Sequence, residues 1–260
     1  RIPCGPQGEG ANLCLERHFT GVLGYPTPVI DTPFPRLLGV DEPAEVWMDG
    51  EMNAEWVLLA YSRGFFPWPV DDQLAWWCPH ERLVFEDRAP RISASTRRSL
   101  RRGGWRVSLD EATPRVIAAC RDARGPDRDG TWITEEIAAT YGHLAAEGLV
   151  HSCEVWHGND LIGGVYGLSL GTAFFGESMF SDESDASKVA FGVLCAWLRL
   201  QGFTLIDGQV ENSHLMSLGG TLVTRDAYLG HLEQALSKVT LLGPWRLEQD
   251  PSALLLTARS

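Results

Sequence analysis

Apolar positions along this chain keep two periods, and the change from one to the other divides it into helices and strands. From Ala54 to Arg63 the spacing is helical and Gly64 follows, so a helix stopping there is expected. Prolines at 67, 69 and 79 then forbid a helix, which places Trp68, Trp76 and Trp77 on turns or short strands around a small aromatic core. Thr134 before Glu135 and Glu136 reads as an N-cap with acids in the first turn, and Ile137, Tyr141 and Leu144 share one face up to Gly148. Three runs, HSCEVWH, LIGGVYGLSL and TAFFGESMF, are separated by turn residues and predict an antiparallel meander. Ala186, Val189, Ala190, Val193, Leu194, Trp197 and Leu198 recur at i, i+3, i+4 and i+7, a helix stopped by Gly202. FTLIDGQV follows as a buried strand, then a short helix over 213–218, a strand at TLVT and a helix from Arg225 to Leu236. This order predicts an α/β protein, α+β in style, with a mixed sheet covered by helices. Residues 1–33, rich in Gly, Pro and Thr, read as an extended arm, 34–88 as a small N-terminal domain and 89–260 as the main domain.

Composition narrows the class. With 260 residues, 44% apolar and 22% charged, the chain can bury a sizeable core. It has no apolar run long enough for a transmembrane helix, and its first residues lack the apolar core of a signal peptide, so a soluble cytoplasmic protein is expected. The six cysteines are scattered without a CxxC pair, which predicts reduced thiols and no zinc site. Neither GxGxxG nor GxxxxGK[ST] occurs, so nucleotide phosphates have no glycine cradle. The net charge of −12 argues against a general nucleic-acid coat. Yet STRRSLRRGGWR, residues 95–106, carries five arginines and no acid. On a helix, Arg97, Arg98, Arg101 and Arg102 fall in adjacent rows of one face. A solvated surface is one reading; without a compensating carboxylate nearby, phosphate contact is the other.

Candidate chemistry lies where polar groups interrupt apolar strands. Glu177 does so in TAFFGESMF, where an unpaired carboxylate is costly. In LIDGQV, Asp207 and Gln209 are two residues apart and share a strand face, and Gly208 leaves room on the other. The pair fits either a relay, with Asp207 orienting Gln209, or a structural hydrogen-bond pair closing a core strand. Ser187 and Lys188 open the strongest helix, whose N–H groups either hold an anion or form a plain first turn capped by Ser184 or Asp185. His151 and His214 are isolated and read as structural.

Nine separated blocks carry a resemblance: AYSRGFFPW, WWCP, GTWIT, HSCEVW, LIGGVYGL, FFGESMFS, DASK, LIDGQVENSHLMSLGG and TRDAYL. Colinear from about residue 55 to 235, they resemble the leucyl/phenylalanyl-tRNA–protein transferase family. The resemblance implies an acetyltransferase-like (GNAT-type) C-terminal domain and transfer of Leu or Phe, sometimes Met, from aminoacyl-tRNA to proteins with an N-terminal Arg or Lys. The product is marked for N-end-rule degradation. It implies no cofactor, no membrane partner and a monomer. By matching positions it implies Asp207 and Gln209 as the catalytic pair, with Asp207 polarising Gln209. Glu177, Gly176 and Met179 hold the aminoacyl-adenosine end, with Asn212 from the same signature as a further substrate contact. Trp68 and Trp132 bracket the tRNA terminus. Val165, Phe174, Phe191, Leu194, Leu198 and Ile206 wall the amino-acid pocket, and Arg97, Arg98, Arg101 and Arg102 meet the acceptor stem. The chain departs from the family pattern at Ala94, Asp182, Asp185 and Gly208, and at AEVWMDGEM near the N-terminus. The Gly208 change reads as enlarging the site beside Asp207 and Gln209. An acetyl-CoA-dependent acetyltransferase on the same fold lacks its pyrophosphate loop here. A catalytically inactive tRNA- or degron-binding relative is the alternative.

Overall fold

The computed structural model describes residues 44–48, 50–71, 73–85, 90–102, 104–123 and 132–257. The arm read over residues 1–33 lies outside them, as do Cys4 and Cys14. In chain order the elements are β1 (Ala44–Trp47), α1 (Ala54–Ser62), β2 (Phe66–Pro67), β3 (Trp76–Pro79), β4 (Glu81–Phe85), α2 (Ala94–Arg102), β5 (Trp105–Leu109), α3 (Thr113–Asp122) and α4 (Glu135–Ala146). Then come β6 (Val150–His157), β7 (Asp160–Leu170), β8 (Ala173–Ser181), α5 (Ala186–Leu200), β9 (Leu205–Gln209), α6 (Ser213–Ser217), β10 (Thr221–Thr224), α7 (Arg225–Leu236) and α8 (Pro251–Thr257).

A seven-stranded mixed sheet, ordered β10-β4-β9-β8-β7-β6-β5, organises the molecule, and a three-stranded sheet β1-β3-β2 stands apart from it. The expected meander is β6-β7-β8, antiparallel throughout. The α/β expectation therefore holds at the level of the sheet and its helices. β4, which precedes residue 88, pairs with both β9 and β10 and so belongs to the large sheet. Helices cover both faces. One core joins the sheet to α1, α3, α4 and α7; the other joins it to α2, α5 and α8. The caps read from the sequence form as expected: Thr134 Oγ1 accepts the Ile137 N–H at 3.2 Å, and Arg63 ends α1 ahead of Gly64. Cys78, Cys120, Cys153 and Cys195 are buried thiols in no disulfide. Among the described residues no helix is long and apolar enough to cross a membrane.

β1, β4, β5, α3 and α8 went unread in the sequence. β5 and α3 occupy 105–109 and 113–122, and residues 240–257 run back over the second core. There Trp245 stacks on His151 with ring centroids 3.4 Å apart, and its backbone N–H donates to Asp110 Oδ2 at 2.6 Å. His151, buried and paired with Asp110 at 2.8 Å, is thus structural, as its isolation indicated.

Candidate active site

β8 and β9 run parallel from Ala173 and Leu205 to Phe175 and Asp207, and pair no further. Beyond that point each strand carries an extra residue. On β8, Gly176 pairs with Gly167 and Ser178 with Tyr166, leaving Glu177 over. On β9, Asp207 pairs with Val84 and Gln209 with Leu83, leaving Gly208 over. A bulge re-aims side chains and ends regular pairing, so two bulges side by side open the sheet where polar residues are needed. Gln209 adopts φ +65°, a left-handed conformation rare outside glycine. Its N–H donates to Asp207 Oδ1 at 2.7 Å, which holds the turn.

Glu177 is the centre of the resulting cluster. The Tyr61 hydroxyl, from α1, donates to Glu177 Oε1 at 2.5 Å. Gln209 Nε2 lies 3.2 Å from the Tyr61 hydroxyl and 3.5 Å from Glu177 Oε2. Tyr141, from α4, extends the chain with its hydroxyl 3.2 Å from that of Tyr61. Burial pushes the Glu177 carboxyl up to about 7, and the nearby Asp207 charge adds to this against the hydrogen bonds from Tyr61, Tyr141 and Gln209. Burial first, then the Glu177 charge, holds the Tyr61 and Tyr141 phenols well above their usual range, so both remain hydrogen-bond donors. A carboxyl near neutrality beside an amide and two phenols can accept and return a proton at physiological pH.

Asp207 sits among different partners. Arg82 Nε donates to both its oxygens at 2.9 and 3.1 Å, and Nη2 donates to Oδ2 at 2.6 Å. The Tyr228 hydroxyl, from α7, donates to Oδ2 at 2.8 Å. Asp207 therefore meets Gln209 through the backbone N–H, where a polarising contact to the side chain was expected. The space read beside Gly208 is also taken: a Cβ there would sit 2.5 Å from Leu83 Cδ2 and 3.2 Å from Leu215 Cδ1, on the far side from the cluster. A glycine at 208 makes no room beside Asp207 and Gln209.

The remaining candidates divide clearly. Trp68 and Trp132 come together, stacked on each other with centroids 5.8 Å apart and planes 12° from parallel. Val165, Phe174, Phe191, Leu194, Leu198 and Ile206 all fall in the second core, three of them on α5 and the other three on β7, β8 and β9. Gly176 and Met179 are half-buried, one on each side of the β8 bulge. Asn212 is occupied as the N-cap of α6, its Oδ1 accepting the N–H groups of His214 and Leu215 at 2.8 and 3.2 Å. At the start of α5, the Ser187 N–H is bound to Ser181 Oγ and Lys188 Nζ to Asp185 Oδ1; Asp185 is the N-cap residue, but its side chain caps no N–H of the helix. Arg98, Arg101 and Arg102 are exposed on α2 and Arg97 is half-buried. Among the described residues no three His, Cys, Asp or Glu side chains group as metal ligands.

Sequence reasoning passed over Tyr61, Tyr141, Arg82 and Tyr228. Arg82 carried the same signal that exposed Glu177, a charge within an apolar strand, here ERLVF.

A gap between parallel strands lined by Glu177, Asp207 and Gln209 brings together two of the sequence blocks. The model of the family described as leucyl/phenylalanyl-tRNA protein transferase matches residues 84–233, and that of its N-terminal domain residues 50–80. The chain belongs to this family. It is an aminoacyltransferase, moving an aminoacyl group from tRNA to protein. A leucyl/phenylalanyl-tRNA–protein transferase of Anaeromyxobacter dehalogenans is 46% identical over 200 residues, covering 76% of this chain and 86% of the relative. That of Hydrogenovibrio crunogenus is 41% identical over 224 residues, covering 85% and 88%. That of Ralstonia pickettii is 39% identical over 227 residues, covering 84% and 91%. Transferases of this family must gather a tRNA end, an aminoacyl ester and a protein amine in one place, and the bulged gap is a place in the sheet where polar side chains from two strands and two helices meet.

Proposed function

We propose that the protein transfers Leu or Phe, and also Met, from its tRNA to the α-amine of proteins beginning with Arg or Lys, marking them for N-end-rule degradation. It does so as a monomer in the cytoplasm, where charged tRNA is found. The observation that carries this reading is Glu177, a buried carboxyl at about 7 within 3.5 Å of the Gln209 amide. The acceptor amine attacks the aminoacyl carbonyl carbon while Gln209 Oε1 accepts a hydrogen bond from it. An amide oxygen orients the amine but is too weak a base to keep its proton, so the proton passes to Glu177. The C–O bond to the ribose breaks, and Glu177 returns the proton to the departing ribose oxygen. The ester is already activated, so the step needs no ATP.

The parting of β8 and β9 supports an acetyltransferase-like main domain, since it lets a substrate amine enter between two parallel strands. The apolar residues that α5 shares with β7, β8 and β9 suit a Leu, Phe or Met side chain, with discrimination of only about 1–3 kcal/mol per methylene. Trp68 and Trp132 offer a stacking platform for the terminal adenine, worth roughly 1–3 kcal/mol. One residue beyond Gln209 begins a cleft of about 320 Å³ lined by Pro79, His80, Glu81, Val210, Glu211 and Leu222. Glu81 and Glu211 are exposed there and, among the described residues, neither has an ion-pair partner. Two open carboxylates beside the amide favour an acceptor whose first side chain is cationic.

The test is label transfer from a panel of aminoacyl-tRNAs to proteins differing only in their first residue. Leu, Phe and Met should move to Arg and Lys acceptors. Glu81→Gln and Glu211→Gln should each raise KM for those acceptors by roughly 2- to 5-fold, the size of an exposed ion pair. Absence of transfer from every aminoacyl-tRNA overturns the reading.

A further inference from the structure

Arg82 is fully buried on β4, and every one of its nitrogens is engaged. Besides gripping Asp207, its Nη1 donates to the Gly64 carbonyl at 3.0 Å. The guanidinium lies between two rings, 4.5 Å from the Phe66 centroid and 4.4 Å from that of Tyr228. We propose that Arg82, assisted by Tyr228, is a positioning residue of the transfer reaction: it clamps Asp207, so that Asp207 fixes the backbone of Gln209 and aims the Gln209 amide at Glu177. This rests on the assignment of Gln209 and Glu177 to the reacting site.

The oxygens of Asp207 make the case. Oδ1 accepts from Arg82 Nε and the Gln209 N–H; Oδ2 accepts from Arg82 Nε and Nη2 and from the Tyr228 hydroxyl. No lone pair is left to take a proton from a substrate, and neither oxygen reaches the Gln209 side chain. Beyond the charge it presents to Glu177, Asp207 acts on the site through the Gln209 backbone. That backbone is left-handed at φ +65°, a conformation that persists in a non-glycine residue only where its surroundings enforce it. The enforcing contact is the 2.7 Å hydrogen bond to Oδ1. Its direction depends on a carboxylate that cannot rotate, and the guanidinium fork prevents rotation by holding both oxygens. A lysine ammonium supplies charge without the fork, so it keeps the ion pair and loses the orientation.

A purely structural role would have Arg82 seal the Gly64–Phe66 segment against the large sheet and nothing more. The two roles separate in kinetics. Arg82→Lys and Tyr228→Phe are made in the full chain, and three quantities are measured: thermal midpoint, affinity for aminoacyl-tRNA, and transfer rate with both substrates saturating. Positioning predicts folded variants that bind aminoacyl-tRNA within about twofold of the parent, since the Gln209 amide is aimed at the acceptor amine and Glu177 and not at the tRNA. kcat should fall by about 10²-fold in Arg82→Lys, the effect of a roughly 1 Å misplacement. It should fall about tenfold in Tyr228→Phe, which removes one hydrogen bond to a charged group and leaves the ring in place. If Arg82→Lys does not fold, Tyr228→Phe decides alone. A folded variant with parental kcat overturns the proposal, and so does a loss of kcat matched by an equal loss of tRNA affinity. A parent protein that transfers nothing overturns the function reading itself, a different result from either.

Discussion

Burial lifts the Glu177 carboxyl from an ordinary 4.5 to about 7, and the shift has two consequences of opposite sign. As proton acceptor the group must be ionised, so kcat should rise with pH through a midpoint near 7. Stability moves the other way. The folded state holds this proton more tightly than the unfolded chain, so the contribution is complete below about 4.5 and is lost progressively as pH climbs to about 7. Tyr61, Tyr141, Tyr166, Gln209 and Asp207 are the groups that face it, and Asp207, itself paired with Arg82, is the charged one among them. Glu177→Gln should lower kcat by about 10²-fold or more, and flatten the stability slope between 4.5 and 7 in denaturant titrations. A Glu177→Gln protein with parental kcat and an unchanged pH midpoint would remove Glu177 from the mechanism. Glu177, Asp207 and Gln209 could be picked out in the sequence because polar groups in apolar strands need a reason. Tyr61 and Tyr141 could not, because a tyrosine on the apolar face of a helix is indistinguishable from core packing until its hydroxyl is seen to have a partner.

Among the elements, the meander β6-β7-β8 and helices α1, α4, α5 and α7 were legible because each keeps one period long enough to count. The two bulges were not, since an extra residue breaks the period by one position and leaves no composition signal. The glycines of LIGGVYGL hint at them, because glycine inside a strand marks close backbone approach. Gly167 stands opposite the β8 bulge, paired with Gly176, and a Cβ on it would meet the Phe175 carbonyl oxygen at 2.2 Å and the Phe174 ring at 2.5 Å. The oxygen is backbone and can yield only if β8 shifts, and β8 carries Glu177. Gly167→Ala should therefore destabilise the protein by about 1–3 kcal/mol, the range for overpacking, and reduce kcat in the fraction that remains folded. Chemical denaturation together with the rate per folded molecule checks both. A variant as stable and active as the parent would show that the bulge tolerates what the spacing forbids. The β8 bulge is thus an element-level cause of a residue-level property, because it is the irregular pairing that turns Glu177 into the buried cluster.

At the scale of the molecule, a chain of net charge −12 must attract a polyanion, which requires charge to be segregated rather than abundant. α2 supplies the segregation: Arg98, Arg101 and Arg102 are exposed on one helix whose first turn contains no acid. Its apolar residue Leu100 anchors it in the second core, so the arginine face is presented by a packed element. Screening acts differently on the two parts of such a surface. The diffuse acidic field fades beyond about 8 Å at physiological salt, while arginines touching phosphates release counterions in proportion to the contacts made. Affinity for tRNA should consequently fall linearly in log–log form with salt, despite the repulsive net charge. Arg98→Ala with Arg101→Ala should weaken tRNA binding and reduce the slope by roughly two, about 0.9 per lost phosphate contact. kcat at saturating aminoacyl-tRNA should stay near the parental value, since neither arginine contacts the Glu177 cluster. Binding isotherms at four or five salt concentrations read the slope directly. An unchanged slope would mean that these arginines are a solvated face and that tRNA is held elsewhere on the molecule.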